Sequence, residues 1–244
     1  MLNQMSKRAS KGPRGGQTEI MFRPRGGARD GAGRKARAER VGFLPHVARS
    51  KHSLHVPVHI TARAVRGVPS LRSQRIFNAL RSIFARASEK RFRLVHFSVQ
   101  GNHVHLIVEA DDGVALARGV QRLLSRVAMT VNALSRRSGK LWRDRHHRRP
   151  LKTPTEVRNA YVYVLFNFRK HQMAGTASWE LALASYDPCS SYVWFDGWGA
   201  SARPTEAAVA RAGPPIVAPA ESWLARSGWR PLGLVRFQEV PRSH

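Results

Sequence analysis

The chain has 244 residues, of which 42% are hydrophobic, enough for one good core rather than two full domains. Its 42 Lys and Arg residues stand against 15 Asp and Glu residues, so the formal net charge is +27 at pH 7. Such a surplus predicts a polyanionic partner, above all nucleic acid, with binding that weakens steeply as salt rises. No apolar run approaches the about 20 residues that a membrane-spanning helix needs, and the N-terminus lacks the apolar stretch of a secretory signal. We therefore expect a cytoplasmic protein without membrane contact, and the single cysteine, Cys189, excludes an internal disulfide.

Residues 1–50 are basic and rich in glycine, as in KGPRGGQTEI and RPRGGARDGAGRKARAER. Their apolar content is too low to offset the entropy of ordering the chain. We therefore predict a flexible, disordered basic arm over residues 1–50. It either contacts DNA or is a solvated tail or a product of a misplaced start codon, and the sequence favours neither.

The first two elements are a strand and a helix. Residues 55–64, HVPVHITARA, predict a half-buried strand because apolar residues alternate with polar or small ones. Residues 69–90, PSLRSQRIFNALRSIFARASEK, predict a helix with one apolar stripe, and Ser70 is available as its N-cap.

A β-hairpin is predicted next, because RFRLVHFSVQ and HVHLIVEA are joined by Gly-Asn, which suits a tight two-residue turn. With that turn, His105 lies opposite Ser98, while His103 pairs with Gln100 and Ile107 with His96. One face of the hairpin is then apolar, and we expect it to be the core side. That face consists of Val95, Phe97, Val99, Val104, Leu106 and Val108.

The remaining elements are a helix, a short strand and a final helix. Residues 113–139 have apolar residues at helical spacing, and Gly139 ends the pattern. KLWRDRHHRRPLK, at 140–152, predicts a short basic strand or extended segment. The last helix begins with Thr153 and Pro154, and Glu156 completes a capping box. This order of elements predicts an α+β fold in which helices pack on an antiparallel sheet.

His103 and His105 are the first candidate site residues. Residues i and i+2 of a strand share a face, so both imidazoles can bind one divalent metal ion. Two polar residues on the solvated face of a strand are also common, so the pair alone leaves both interpretations open.

The last helix carries two tyrosines that are not equivalent. At 100° per residue, Tyr161 falls within the apolar stripe, which predicts a packing role. Tyr163 lies about 200° away from it on the helix, on the side that carries Asn167. A tyrosine on that side is available for chemistry.

These residues together are suited to phosphoryl transfer. Two imidazoles and the amide oxygen of Asn167 leave open positions on an octahedral Mg²⁺ or Mn²⁺ ion for a phosphate. The phenol of Tyr163 can then attack phosphorus, provided that a base, a cation or the metal activates it. Lys170 is a candidate helper, although a solvated basic helix face is the simpler explanation.

Several motifs resemble one family in order. FSVQGNHVHLIVEAD resembles the HUH motif, histidine-hydrophobic-histidine on a strand, of single-tyrosine transposases of the IS200-like superfamily. RNAYVYVLFNFRKH resembles the nucleophile helix of their REP-associated tyrosine transposase branch. VPSLR, SRVAMTVNALSRRSGKLWRDRHHRRPLKTP and DPCSSYVWFDGW are also similar to stretches of that branch. The resemblance covers residues 52–198, and we expect a transposase domain at 51–198 followed by a linker and C-terminal tail at 199–244.

This resemblance implies a ferredoxin-like core with His103 and His105 as metal ligands, Asn167 as the third ligand and Tyr163 as the nucleophile. It further implies a bacterial, nucleoid-associated enzyme that nicks single-stranded, hairpin-forming DNA. Cleavage would leave a 5′-phosphotyrosine link and a free 3′-OH, and the link can be reversed on another DNA end, which amounts to transposition or DNA recombination.

The chain departs from the family pattern at two positions. His146 stands where an aromatic residue usually precedes a histidine, and Phe166 replaces a polar residue beside Asn167. Both changes could alter DNA contact, and neither position carries the proposed chemistry.

A basic segment precedes the last helix and is well placed to hold a phosphate backbone, unless it is general surface charge. Its candidate DNA-binding residues are Arg143, Arg145, His147, Arg148 and Arg149, together with Lys170 on the helix.

Two other functions stay open at this point. The protein could be a domesticated transposase that binds structured single-stranded DNA without cleaving it. It could also be a hydrolytic metalloenzyme in which His96 joins His103 and His105, although that leaves Tyr163 and the charge unexplained. The sequence does not decide between a monomer and a homodimer.

Overall fold

The computed structural model describes residues 52–173 and 186–241, with side chains described for 52–169 and 186–241. The predicted basic arm at 1–50 and the side chain of Lys170 lie outside the described residues. The main elements are β1 (Val58–Arg63), α1 (Gln74–Phe84), β2 (Phe92–Val99), β3 (His103–Ala110), α2 (Gly113–Leu134), β4 (His147–Pro150), α3 (Pro154–Met173) and α4 (Glu206–Ala212). Within the two described ranges, no helix is both long and apolar enough to cross a bilayer.

The strands form one antiparallel sheet in the order β2-β3-β1-β4. Together with α1 and α2, this is the βαββαβ arrangement of a ferredoxin-like core. The predicted α+β class and its ferredoxin-like core are therefore confirmed. The predicted hairpin pairing is confirmed as well, since Ser98 lies opposite His105 and His96 lies opposite Ile107.

One side of the sheet, the apolar face, is covered by α1 and α2. Its residues form one core cluster with the apolar stripes of the two helices. α2 approaches β2 closely, because a Cβ on Gly119 would lie 2.2 Å from the ring of Phe92. The strand residues of the apolar face are Val58, Ile60, Ala62, Phe92, Leu94, Phe97, Val99, Val104, Leu106, Val108 and Ala110.

Val95 does not belong to the apolar face, contrary to the sequence-based expectation. The pairing of β2 with β3 shifts register between Leu94 and His96, so Val95 is an extra residue in β2. The bulge turns its side chain into the second cluster, where Ile107 also lies.

The other side of the sheet, the histidine face, is covered by α3 and by residues beyond 186. α3 packs there with Tyr161, Val164 and other buried residues in the second cluster. The strand residues of this face are His59, Thr61, Arg63, His96, Ser98, His103, His105 and Ile107.

The ends of the helices show which cap predictions hold. In α3 the capping box is present: the Glu156 amide donates to Thr153 Oγ1 and the Thr153 amide donates to Glu156 Oε2, both at 3.2 Å. The expectation of Ser70 as the cap of α1 is wrong, because that helix begins after Ser73.

Residues 199–241, expected as a linker and tail, contribute to the second cluster. Trp229 and Val235 are fully buried in it. Arg158 of α3 makes a bidentate ion pair with Glu239, with oxygen distances of 2.7 and 2.8 Å. The buried carboxylate of Glu109 in β3 accepts hydrogen bonds from the amide and hydroxyl of Ser222. This segment thus anchors α3 and β3 from outside the sheet.

Candidate active site

The predicted metal ligands His103 and His105 lie side by side on the histidine face. Their ring centres are 4.8 Å apart and the rings are perpendicular. That separation is short enough for both rings to reach one ion with metal–nitrogen bonds of about 2.1 Å.

Neighbouring side chains orient both imidazoles through Nδ1. In His103, Nδ1 lies 2.8 Å from Asn102 Oδ1, a contact that suits a proton on this nitrogen. In His105, Nδ1 lies 3.1 Å from Thr61 Oγ1 and 3.2 Å from His59 Nε2. A proton on Nδ1 would leave the lone pair on Nε2, the arrangement in which metal-binding histidines are commonly held.

Tyr163 stands next to these histidines on α3. Its ring centre is 5.1 Å from that of His105 and 5.7 Å from that of His59. Burial raises the pKa of the half-buried phenol, and the positive charge of Arg63 lowers it part of the way back. The phenol is therefore protonated at neutral pH, and any nucleophilic role requires activation in the site.

Tyr161 has a different environment. Its side chain is 1% exposed and its hydroxyl donates to the carbonyl of Ala225 at 2.8 Å. Burial raises its pKa strongly. The residue packs in the core, as its place in the apolar stripe predicts.

Asn167 is buried one helical turn after Tyr163. Its Nδ2 has no hydrogen-bond partner among the residues that the structure describes. A half-turn of the side-chain amide exchanges its nitrogen and oxygen, so either atom can take this position. An orphaned polar atom there fits a ligand that accepts the amide oxygen, as Mg²⁺ and Mn²⁺ do.

In the part of the chain that the structure describes, no three or more His, Cys, Asp or Glu side chains are grouped to hold a metal ion. The predicted set contains only two such residues, His103 and His105, and its third ligand is the side-chain amide of Asn167. The donor chemistry therefore fits an ion that retains open positions rather than a closed structural site.

His96 belongs to a separate environment, which removes the basis for the hydrolase reading. Its Nδ1 lies 3.0 Å from Ser191 Oγ, and its ring packs edge-on against Tyr161 and Phe195. Burial lowers the pKa of His96 to about 3. Its ring is thus a neutral core group.

The predicted DNA-binding segment runs along β4 at the edge of the sheet. Arg149 lies opposite His59 and so shares the histidine face, whereas Arg148 lies opposite Ile60 of the apolar face. The exposed His147 lies opposite Thr61. Arg143 and Arg145, partly exposed, precede the strand. The segment therefore borders the site but divides its charges between two faces.

Three residues of β1 that sequence reasoning missed belong to the site: His59, Thr61 and Arg63. They alternate along β1, and Arg63 lies opposite His103. His59, Thr61 and Arg63 show the same i, i+2 spacing as His103 and His105, so they share one face of β1. The sequence does not show that this face lies beside the histidine pair, because that depends on the pairing of β1 with β3.

A buried ion pair beside the site joins two motifs that are far apart in sequence. Arg72 of VPSLR makes a bidentate contact with the fully buried Asp187 of DPCSS, at 2.7 and 3.0 Å. Arg72 also donates to the carbonyl of Val99 at the end of β2. Burial alone would lower the pKa of Arg72, but the hydrogen bond and charge of Asp187 raise it overall. The pair fixes the loop before α1 against the hairpin that carries the histidines.

Two comparisons with known proteins find similarities to this chain. The family model described as transposase IS200 like matches residues 52–162. One similar solved structure is a REP-associated tyrosine transposase bound to a REP hairpin, with 16% identity, a TM-score of 0.46 and coverage of 73% of this chain and 93% of that chain. No curated protein matches the chain significantly. The matched region spans β1 to β4 and extends into α3 as far as residue 162, so this part of the chain is similar to transposases of the IS200-like family.

Proposed function

We propose that this chain is a metal-dependent, REP-associated transposase that cleaves and rejoins single-stranded, hairpin-forming DNA through Tyr163. The observation that carries the proposal is the position of Tyr163, with its ring 5.1 Å from His105, which itself lies 4.8 Å from His103. A nucleophile and two candidate metal ligands thus come from one chain.

In the proposed cleavage step, Tyr163 Oη forms a bond with the scissile phosphorus. The bond between phosphorus and the 3′ oxygen of the preceding nucleotide breaks, and that oxygen takes up the proton that the phenol gives up. The products are a 5′-phosphotyrosine link and a free 3′-OH. The reverse step joins a 3′-OH to the linked strand, and neither direction needs ATP because one phosphate ester replaces another.

The residues of the site have separable tasks in this proposal. A divalent ion such as Mg²⁺ or Mn²⁺, held by His103, His105 and Asn167, would polarise the scissile phosphate. Thr61 orients the imidazole of His105. Arg63 supplies positive charge beside the phenol and favours its ionised form.

The charge of the chain supports a DNA partner. A net charge of +27 favours a phosphate backbone, and Arg149 and His147 lie on the same face as the histidines. A strand crossing from β4 toward β3 would pass over the site.

The test uses labelled single-stranded oligonucleotides copied from the DNA that flanks the gene, incubated with protein and Mg²⁺ or Mn²⁺. We expect a covalent protein–DNA adduct on a denaturing gel, lost on addition of a chelator and lost in Tyr163→Phe. DNA affinity should be nearly unchanged in that variant, because only the hydroxyl is removed.

Tyr161→Phe is the matched control on the same helix. It loses a buried hydrogen bond worth about 1 kcal/mol and should still form the adduct. If Tyr163→Phe still forms the adduct, the assignment of Tyr163 is wrong. The same follows if Tyr161→Phe folds normally but forms no adduct. Tight binding with no adduct in wild type would instead favour the domesticated, non-cleaving DNA-binding protein.

A further inference from the structure

A cavity of about 550 Å³ opens beside His103 and is not used by the chemistry proposed for Tyr163. Its polar walls come from the loop before α1 and from the turn between β2 and β3, and Phe168 of α3 adds an aromatic wall. The polar residues that line it include Ser70, Arg72, Gln100 and Asn102.

The walls are held in place before any ligand binds. Arg72 is fixed by Asp187 and by the carbonyl of Val99. Gln100 is 2% exposed and donates from Nε2 to Ser98 Oγ at 2.7 Å. The Leu71 amide donates to the carbonyl of Gly101, which ties the loop to the turn. A ligand therefore meets a preformed surface and does not have to order it.

The chemistry of the walls suits a nucleobase. Amide and hydroxyl groups can both donate to and accept from the edge of a base, and the buried Phe168 adds an apolar part to the lining. The volume exceeds that of one base and falls within the range of ligand pockets, roughly 300 to 1,000 Å³. A paired and stacked base cannot enter such a cavity, whereas an unpaired one can be splayed into it.

We infer that this cavity receives one unstacked base of the bound DNA strand, adjacent to the phosphate that Tyr163 attacks. The inference rests on the proposed function, because His103 is shared between the cavity and the candidate metal site. Base capture at this position would set which phosphate reaches Tyr163, and it would give the enzyme a sequence preference at the cut.

The test measures DNA binding in a Tyr163→Phe background, so that cleavage does not interfere. Each nucleotide of the flanking oligonucleotide is replaced in turn by an abasic residue. We expect one position at which the loss of the base lowers affinity by about 10-fold, the effect of losing one or two hydrogen bonds to the base.

Ser70→Trp places a bulky side chain at the exposed rim of the cavity without changing a buried residue. It should lower affinity for intact DNA by a similar factor and leave affinity for the abasic DNA unchanged, because both changes remove the same contact. Ser201→Trp, at an exposed serine outside the cavity, is the control and should have no effect.

A flat abasic scan, or equal effects of Ser70→Trp on intact and abasic DNA, would overturn the inference. A free deoxynucleotide that binds wild type in the absence of DNA and is excluded by Ser70→Trp would also overturn it, by showing a soluble nucleotide site instead. A failure of the proposed function is detected by a different measurement, because the protein with an intact Tyr163 would then form no covalent adduct with DNA.

Discussion

The two faces of the sheet are built from the same strands but have different compositions. On the apolar face, eleven strand residues, all apolar, form one cluster with α1 and α2. On the histidine face, polar side chains such as His105 and Thr61 alternate with them and meet α3. Because side chains alternate across a strand, packing on one face fixes the positions of groups on the other. The comparison indicates that the apolar face supplies stability, whereas the proposed chemistry depends on the histidine face.

The largest expected effect is a loss of adduct formation without a comparable loss of stability. His105→Ala should reduce metal-dependent adduct formation by about 1,000-fold or more, since a metal ion contributes several kcal/mol to phosphoryl transfer. The free energy of unfolding should change far less than for a large core residue. Adduct yield against metal concentration and urea unfolding would measure both quantities, and unchanged adduct formation would remove the argument for the metal site.

The converse change lies on the apolar face, directly behind the site. Phe97 is fully buried and its ring centre is 4.5 Å from that of Phe84. Phe97→Ala should lower the free energy of unfolding by about 3–5 kcal/mol. Adduct formation per folded molecule should stay within about 3-fold of wild type, because His105 and Tyr163 are untouched.

Phe97→Leu provides a milder form of the same test if the alanine variant does not fold, with a loss of about 1–1.5 kcal/mol. A drop in chemistry that exceeds the drop in folded fraction, in either variant, would show that the two faces are not separable.

Most of the apolar face could be predicted from the sequence. Period-two alternation in β3 and helical spacing in α1 and α2 report burial directly, because each is a local pattern. The exception is Val95, where a bulge inserts one residue and reverses the alternation. Nothing in FRLVHFSV distinguishes a bulged strand from a regular one.

The candidate site could be predicted only in part. His103, His105, Tyr163 and Asn167 stand out through local spacing, and the structure brings the first three together. His59, Thr61 and Arg63 depend on β1 lying beside β3, which strand order decides and local pattern does not. The Arg72–Asp187 pair likewise joins residues 115 apart in sequence. Contacts of this kind depend on the tertiary structure and leave no local pattern in the sequence.

The C-terminal region shows the same limit. Its Ala- and Pro-rich composition near residues 201–220 suggests a linker, yet Trp229 and Val235 beyond it are fully buried. The aromatic residues of ESWLARSGWRPLGLVRF were the available signal. Trp229 and Phe237 pack on α3 against Tyr161 and Phe166, whereas Trp223 is exposed.

The stability of the protein should also depend on pH, through the buried His96 on the histidine face. The pKa of His96 is lowered to about 3 by burial, whereas an unfolded histidine titrates near 6.5. Between these values the unfolded chain binds the proton and the folded chain does not, so stability falls as pH decreases from about 6.5 to about 3. The expected slope from this residue is up to about 1.4 kcal/mol per pH unit.

Urea unfolding at several pH values between 4 and 6 would measure this slope. His96→Asn should remove it, while the exposed His147→Asn should leave it unchanged. An identical pH dependence in wild type and His96→Asn would mean that the neutral core histidine does not contribute.

The smallest expected effect compares two neighbouring arginines of β4. Arg149 lies opposite His59 on the histidine face, and Arg148 lies opposite Ile60 on the other. If DNA follows the histidine face, Arg149→Gln should weaken single-stranded DNA binding by about 3- to 10-fold and reduce the salt slope by about 0.7, the value for one phosphate contact. Arg148→Gln should change neither by a comparable amount, because its side chain starts from the face that α1 and α2 cover. Equal losses in both variants would mean that DNA wraps the edge of the sheet, and the strand's path would then have to be redrawn around β4.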